Sequence, residues 1–406
     1  MQGFGNGAAR QDDSVTAVLA ALIREDETSR AALSRSLGLS KPTVSQAVGR
    51  LIAWGLVREE GPGDNPVGKK ATRIAFNRRW AFVAGVDIGN FMVRTGLFDL
   101  AGERLGLRQT RIHDAASGPA LFGQVERDLA ALLGQAGIPA ERLAAVTIGI
   151  PGVRDENLGL NRLAPFMTEW EDQDLTRGLE ERICSRVTVA NNVNLGMTGE
   201  RWLGNARGAR NAVYLEFGIG VGAGILVDGR VISGSTGAAG EIAYALFEQA
   251  PRRDAFEPLG AFEQVLSTRS ILSEYRRAGG SPLPADPAEA VARVFALREE
   301  GESAAVAVTE RALELTCRAL VSLAAILNPE VMIIGGGMGS CLMAHARRFE
   351  DALARYTPYP PALRSAGCGS TAVVCGAARQ ALDDLGAPGL IALAERRESV
   401  STANKG

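Results

Sequence analysis

The feature that most constrains this chain is a pattern that occurs twice, an apolar strand that runs into a glycine turn and returns as a second strand. The first copy is Phe82-Val83-Ala84-Gly85-Val86-Asp87-Ile88-Gly89-Asn90, then Val93 to Leu100 and the turn Ala101-Gly102. The second is Ala212-Val213-Tyr214-Leu215-Glu216-Phe217-Gly218-Ile219-Gly220, then Val221 to Val227 and Asp228-Gly229. Short apolar runs that end in glycine read as buried strands joined by tight turns. One copy in each half of the chain predicts two related lobes facing a cleft. A third piece, Val331-Met332-Ile333-Ile334-Gly335-Gly336-Gly337, is a buried strand and glycine turn ahead of a helix.

Facing glycine hairpins are the logic of the actin-like ATPase and sugar-kinase fold, in which each lobe offers backbone N–H groups to a nucleotide phosphate. The expected fold class is α/β, a small N-terminal domain followed by a two-lobed actin-like body. Residues 81–190 with about 372–397 make the first lobe and residues 191–371 the second. A helix over 306–326, apolar along Val308, Leu313, Leu315, Leu320 and Leu323, is expected inside the body. Residues 1–13 read as a loose polar arm and 398–406 as a frayed tail.

Charge separates the N-terminal part from the rest. Residues 28 to 80 hold ten Lys or Arg against three acids, a net +7, in a chain whose formal net charge is −2. A basic head on an acidic body is the electrostatic footprint of a nucleic-acid-binding module joined to something else. Residues 14–80 then read as a winged helix-turn-helix. Val15, Val18, Leu19, Leu22 and Ile23 line one face of a first helix; Thr28 or Ser29 caps a second, which Gly38 ends; Ser40 caps a third, with Pro42 in its first turn. Val44, Val48, Leu51 and Ile52 form the buried stripe of the third helix, leaving Lys41, Thr43, Ser45, Gln46 and Arg50 for base edges and phosphates. A ribbon with the basic residues Lys69, Lys70 and Arg73 follows, to meet the backbone or minor groove. The alternative for three short helices is a dimerisation domain with a solvated basic face.

The five cysteines, at 184, 317, 341, 368 and 375, form no CxxC pair, which fits reduced thiols and neither a disulfide frame nor zinc. No signal peptide and no apolar run of membrane-spanning length is present, so a cytoplasmic protein is expected.

With these pieces in place, the chain resembles the ROK family of bacterial sugar-responsive repressors and sugar kinases over nearly its whole length. The resemblance is carried by Leu39-Ser40-Lys41-Pro42-Thr43-Val44-Ser45, Gly68-Lys69-Lys70, Ile148-Gly149-Ile150-Pro151-Gly152, Asn191-Asn192-Val193-Asn194, Gly204-Asn205-Ala206-Arg207-Gly208, Ala239-Gly240-Glu241-Ile242 and Asn328-Pro329-Glu330. The helix-turn-helix head places it with the repressor branch.

Several departures from the family pattern then matter. ROK kinases carry a catalytic Asp as the base at the position of Asn192, and a neutral amide cannot take up an alcohol proton at physiological pH. Ile219 replaces the usual hydroxyl of the second phosphate hairpin, Asn90 stands where Gly is common, and Asp87 remains as a turn or fold residue. Zinc-bearing relatives have a His where this chain has Tyr244, and a cysteine cluster where it has no cysteine between 185 and 316, so no metal site is expected. The resemblance implies hydroxyl recognition by Asn191, Asn192, Glu241 and Glu263, with Tyr244 or Trp170 stacking on a sugar face. A helix cap is the alternative role for Asn191 and Glu241.

The expected protein is a repressor that binds operator DNA as a homodimer or higher homo-oligomer. Its inactive kinase-like body senses a carbohydrate, with no cofactor and no membrane partner. An ATP-dependent sugar kinase with a DNA-binding head and a ligand-independent DNA-binding repressor are the alternatives.

Overall fold

The computed structural model describes residues 5–25, 27–62, 72–89, 91–112, 118–155, 160–162, 175–247 and 259–403. The head comprises α1 (Gly5–Glu25), β1 (Glu27–Ser29), α2 (Arg30–Leu37), α3 (Lys41–Ala53), β2 (Val57–Pro62) and β3 (Thr72–Phe76), with an antiparallel sheet in the order β1-β3-β2. Local signals set its boundaries. Ser29 Oγ accepts from the Ala32 N–H at 3.2 Å, Gly38 ends α2 with φ 65°, and Ser40 Oγ accepts from the Thr43 N–H at 3.3 Å. The expected arm over 1–13 needs correction, because α1 begins at Gly5. Ala8, Ala9, Arg10 and Gln11 are strong helix formers.

The first lobe contains β4 (Phe82–Ile88), β5 (Met92–Asp99), β6 (Arg104–Arg111), α4 (Gly118–Ala136), β7 (Leu143–Ile150), the ribbon of β8 (Val153–Asp155) and β9 (Leu160–Arg162), α5 (Leu175–Ile183) and β10 (Arg186–Asn191). The second contains α6 (Asn192–Trp202), β11 (Ala212–Phe217), β12 (Val221–Val227), β13 (Arg230–Val231), α7 (Glu263–Leu266), α8 (Thr268–Arg277), α9 (Pro287–Glu299), α10 (Ser303–Leu327), β14 (Val331–Gly335), α11 (Gly339–Met343), α12 (Ala346–Tyr356) and β15 (Ala362–Ser365). The closing helix is α13 (Ala372–Ala403).

The duplication read from sequence is a duplication of topology. One sheet has the order β10-β7-β4-β5-β6 and the other β15-β14-β11-β12-β13. In each, the glycine hairpin is antiparallel and sits beside parallel strands on its other flank. As expected, α10 lies in the core of the second lobe, with Leu313 and Leu320 fully buried.

Two helices join the lobes. The chain leaves the first sheet through α6, and α13 returns from the second lobe to pack on β4 and β7. They cross at backbone contact. A Cβ on Gly376 would lie 1.8 Å from the Leu195 carbonyl oxygen, and one on Gly199 would lie 2.1 Å from that of Ala372.

Head and body share one core. Val18, Leu19 and Leu22 of α1 and Val48 and Leu51 of α3 pack in the same apolar cluster as Trp80, Phe98, Val374, Leu385, Leu390 and Ala394. Helix α13 breaks at Gly386 (φ 48°) ahead of Pro388, and this turn aims its last segment at the head. There Trp54 Nε1 donates to Glu398 Oε2 at 2.9 Å, and the Arg397 guanidinium lies 4.4 Å from the centre of the Trp80 ring. The expected frayed tail is therefore corrected: helix continues to Ala403, and Glu398 is tied to α3's end.

Each such side chain contributes about 1.5–3 kcal/mol through burial, so head and body are expected to unfold together. Leu19→Ala should cost about 2–5 kcal/mol and shift a single calorimetric transition. Two transitions, with only a small one moved, would show that the shared core does not couple them.

Candidate functional site

The third helix presents part of the surface expected of it. Lys41, Ser45 and Gln46 are exposed on α3. Thr43 is half-buried, and its hydroxyl is 2.7 Å from Ser40 Oγ in the N-cap. Two residues have other engagements. Arg50 stacks 4.9 Å from the Trp54 ring centre and lies 3.6 Å from Glu395 of α13, so it faces the body. Arg73 on β3 pairs with Glu27 of β1. Lys69, Lys70 and Trp170 lie outside the described residues.

Between the lobes is a cavity of about 320 Å³, at the small end of ligand pockets. It collects Asn191, Asn192, Glu241, Tyr244 and Glu263, five of the six residues expected around a ligand, and both glycine hairpins reach it through Gly89 and Gly218-Ile219-Gly220. Asn191 is the N-cap of α6: Oδ1 accepts from the Asn194 N–H and Nδ2 donates to the Gly152 carbonyl, both at 2.9 Å. Its amide thus holds the cavity wall. Asn192 opens α6 at the cavity edge.

Carboxylates dominate the electrostatics. Glu241 makes no side-chain cap bond to the 3-10 turn it precedes, and burial followed by the charge of Glu263 pushes it up to about 7. Glu263 Oε2 accepts from the Val221 N–H at 3.2 Å; burial raises its pKa, and the Val221 N–H and Arg269 offset part of that rise. Burial, then Glu241 and Glu263, also raise the Tyr244 phenol.

Sequence reading missed the inner end of the cleft. Asp87 and Arg94 face each other in the β4–β5 register, with Arg94 Nη1 donating to Asp87 Oδ2 at 3.0 Å. Burial pushes Asp87 up to about 6 against the opposing pull of Arg94. Glu216 on β11 is pushed up to about 7 by burial and then by Asp87, while Arg94 draws it down. The strand register alone was the available signal for Asp87 with Arg94. A second omission spans the lobes: Arg111 of β6 donates to Asp286, which precedes α9, at 2.7 Å. Asp286 also caps α9, and the Glu289 N–H first, then the Ala288 N–H and Arg111, hold it below the usual carboxylate range.

A basic winged helix-turn-helix fused to a two-lobed kinase-like body with a carboxylate-bearing interlobe cavity defines the class. The ROK family profile matches residues 83–384, three-quarters of the chain, and a MarR family profile matches residues 12–65. The chain belongs to the ROK family. It is 27% identical over 377 residues to a putative xylose repressor of Caldicellulosiruptor sp. (strain Rt8B.4), covering 88% of this chain and 92% of that one. It is 29% identical over 210 residues to the glucokinase of Thermotoga maritima, covering 49% of this chain and 65% of the enzyme. Among solved structures, a ROK family transcriptional regulator described as a homolog of the E. coli MLC protein superposes with TM-score 0.75 at 21% identity, over 95% of this chain and 99% of that one. No helix among the described residues is long and apolar enough to cross a membrane.

The raised carboxylates predict a pH dependence. The folded protein binds protons at Asp87, Glu216 and Glu241 that the unfolded chain releases near pH 4, so these groups favour folding at low pH. Their contribution is lost as pH rises through about 6 to 7. Melting temperature should therefore fall from pH 5 to pH 8, and fall less in Glu216→Gln; parallel curves for the two proteins would contradict the assignment.

Proposed function

We propose that this protein is a transcriptional repressor that binds operator DNA through α3 and the wing, and responds to a sugar or sugar derivative held in the interlobe cavity. The observation that carries the reading is the path of α13. Its first turns touch α6, which opens at the cavity with Asn192, and its last turns bond to the C-terminal end of the DNA-reading helix. The xylose repressor similarity along most of the chain agrees with it.

In this reading Lys41, Thr43, Ser45 and Gln46 face DNA, with Lys69 and Lys70 on the wing, while Arg50 positions the helix against the body. Glu241, Glu263 and Asn192 hydrogen-bond sugar hydroxyls, Tyr244 and Trp170 cover a sugar face, and Asn191 shapes the wall. The ligand favours one separation of the lobes through its different affinity for the open and closed forms. Movement of α6 against α13 then reorients the head, and two heads in a homodimer no longer match half-sites about one helical turn apart.

The protein acts without phosphoryl transfer. That chemistry needs a base at the acceptor hydroxyl, and the amide of Asn192 is not one. The partial glucokinase similarity is then shared ancestry of the cleft.

Two outcomes test this. Gln46→Ala should weaken operator binding by about 1–3 kcal/mol while leaving ligand-induced melting shifts intact, measured by fluorescence anisotropy and calorimetry. Purified protein should give no sugar-dependent ATP turnover; turnover that disappears in Asp87→Asn would establish an enzyme instead.

A further inference from the structure

The inner end of the cleft has a charge pattern that the sugar-sensing reading does not use. The cavity lining includes five carboxylates, Asp87, Glu216, Glu241, Glu263 and Asp286, against two guanidiniums, Arg94 and Arg111. Both guanidiniums are ion-paired, Arg94 through Nη1 with Asp87 and Arg111 with Asp286, while Arg94 Nε is left without an acceptor among the described residues. Glu216 Oε2 is buried and has no hydrogen-bond partner among the described residues. Its position explains this. The neighbours of Glu216 across the sheet are Gly222 on β12 and Gly335 on β14, so neither facing residue has a side chain that could donate to the carboxylate.

A buried acceptor without a donor costs about 1–3 kcal/mol, more when charged, and calls for a partner from outside. Resting on the reading of this cleft as a sugar sensor, we propose that the site formed by Asp87, Arg94 and Glu216 receives an ammonium group, and that the effector is an amine-bearing saccharide of the hexosamine class. An ammonium has three donors and the compensating charge, and its hydrogen bonds to carboxylate are charge-assisted from both sides, where a hydroxyl brings no charge of its own. A phosphate would face two carboxylates across the hairpins. Nor would it gain a hydroxyl donor, because Ile219 occupies the turn between Gly218 and Gly220.

The test is isothermal titration of the full chain at pH 6.5 with glucosamine and galactosamine, against glucose, galactose, xylose and glucose 6-phosphate. At least one amino sugar should bind about tenfold or more tightly than its neutral parent, with glucose 6-phosphate weakest. Glu216→Gln, verified as folded by a cooperative melting transition, should abolish the preference for the amine. Glu241→Gln should weaken amino and neutral sugars alike. A neutral or phosphorylated sugar that binds best, with its rank unchanged in Glu216→Gln, overturns the ammonium site and leaves the sensor reading standing. Absence of binding to every carbohydrate in the set overturns both.

Discussion

The backbone contact between α6 and α13 is the constraint on which the rest of the molecule depends. Side chains at Gly199 or Gly376 would overlap carbonyl groups of the opposite helix, so both positions must lack a Cβ for the helices to cross at this distance. Such a crossing has little soft side-chain material to absorb movement, and close-packed interiors transmit displacement instead of damping it. The two helices are also the covalent and packing links between the lobes. A change in lobe separation must therefore appear at this crossing, and from there along α13.

The cleft is acidic at both of its hairpins. Asp87 retains an ion pair with Arg94, which keeps one buried carboxylate compensated. Glu216 adds a second on the opposite hairpin, and the charge of Asp87 opposes its ionisation. Burial moves both Asp87 and Glu216 toward neutral pH, and for Glu216 the like charge of Asp87 adds to it, as expected in a low-dielectric site. Toward the outer part of the cavity, Glu241 and Glu263 repeat the pairing. A ligand entering this space meets acceptors in excess of donors.

Much of the fold was legible because it is written in local signals. Ser29, Gly38, Ser40 and Pro42 set the ends of the head's helices, and the paired glycine hairpins announced two like sheets. Five of six ligand residues named from family motifs do meet at one cavity. What escaped depends on long-range placement. Glu216 sits in an ordinary apolar strand pattern, and nothing nearby in sequence marks Gly222 and Gly335 as its neighbours. Arg111 and Asp286 are 175 residues apart. Arg50 carried the residue type of a DNA contact, yet the folded chain supplies Trp54 and Glu395 as its partners. Asn191 illustrates the converse, since the bland role of helix cap is the one the structure gives it.

The shared core changes how regulation must operate. A head on a flexible tether could reorient at little cost, but here the apolar surface of α1 is continuous with α13. Freeing it would expose several large side chains at about 1.5–3 kcal/mol each, comparable to the roughly 5.5 kcal/mol of differential binding needed to invert a 99:1 population. Small rotations that keep the core closed are cheaper than release. The break at Gly386 is where such a rotation can be taken up, because its backbone angles already leave the helical range between the cleft-side and head-side segments of α13. Trp54 with Glu398 and Arg50 with Glu395 lie beyond that break, so they travel with the head-side segment and carry its tilt into α3.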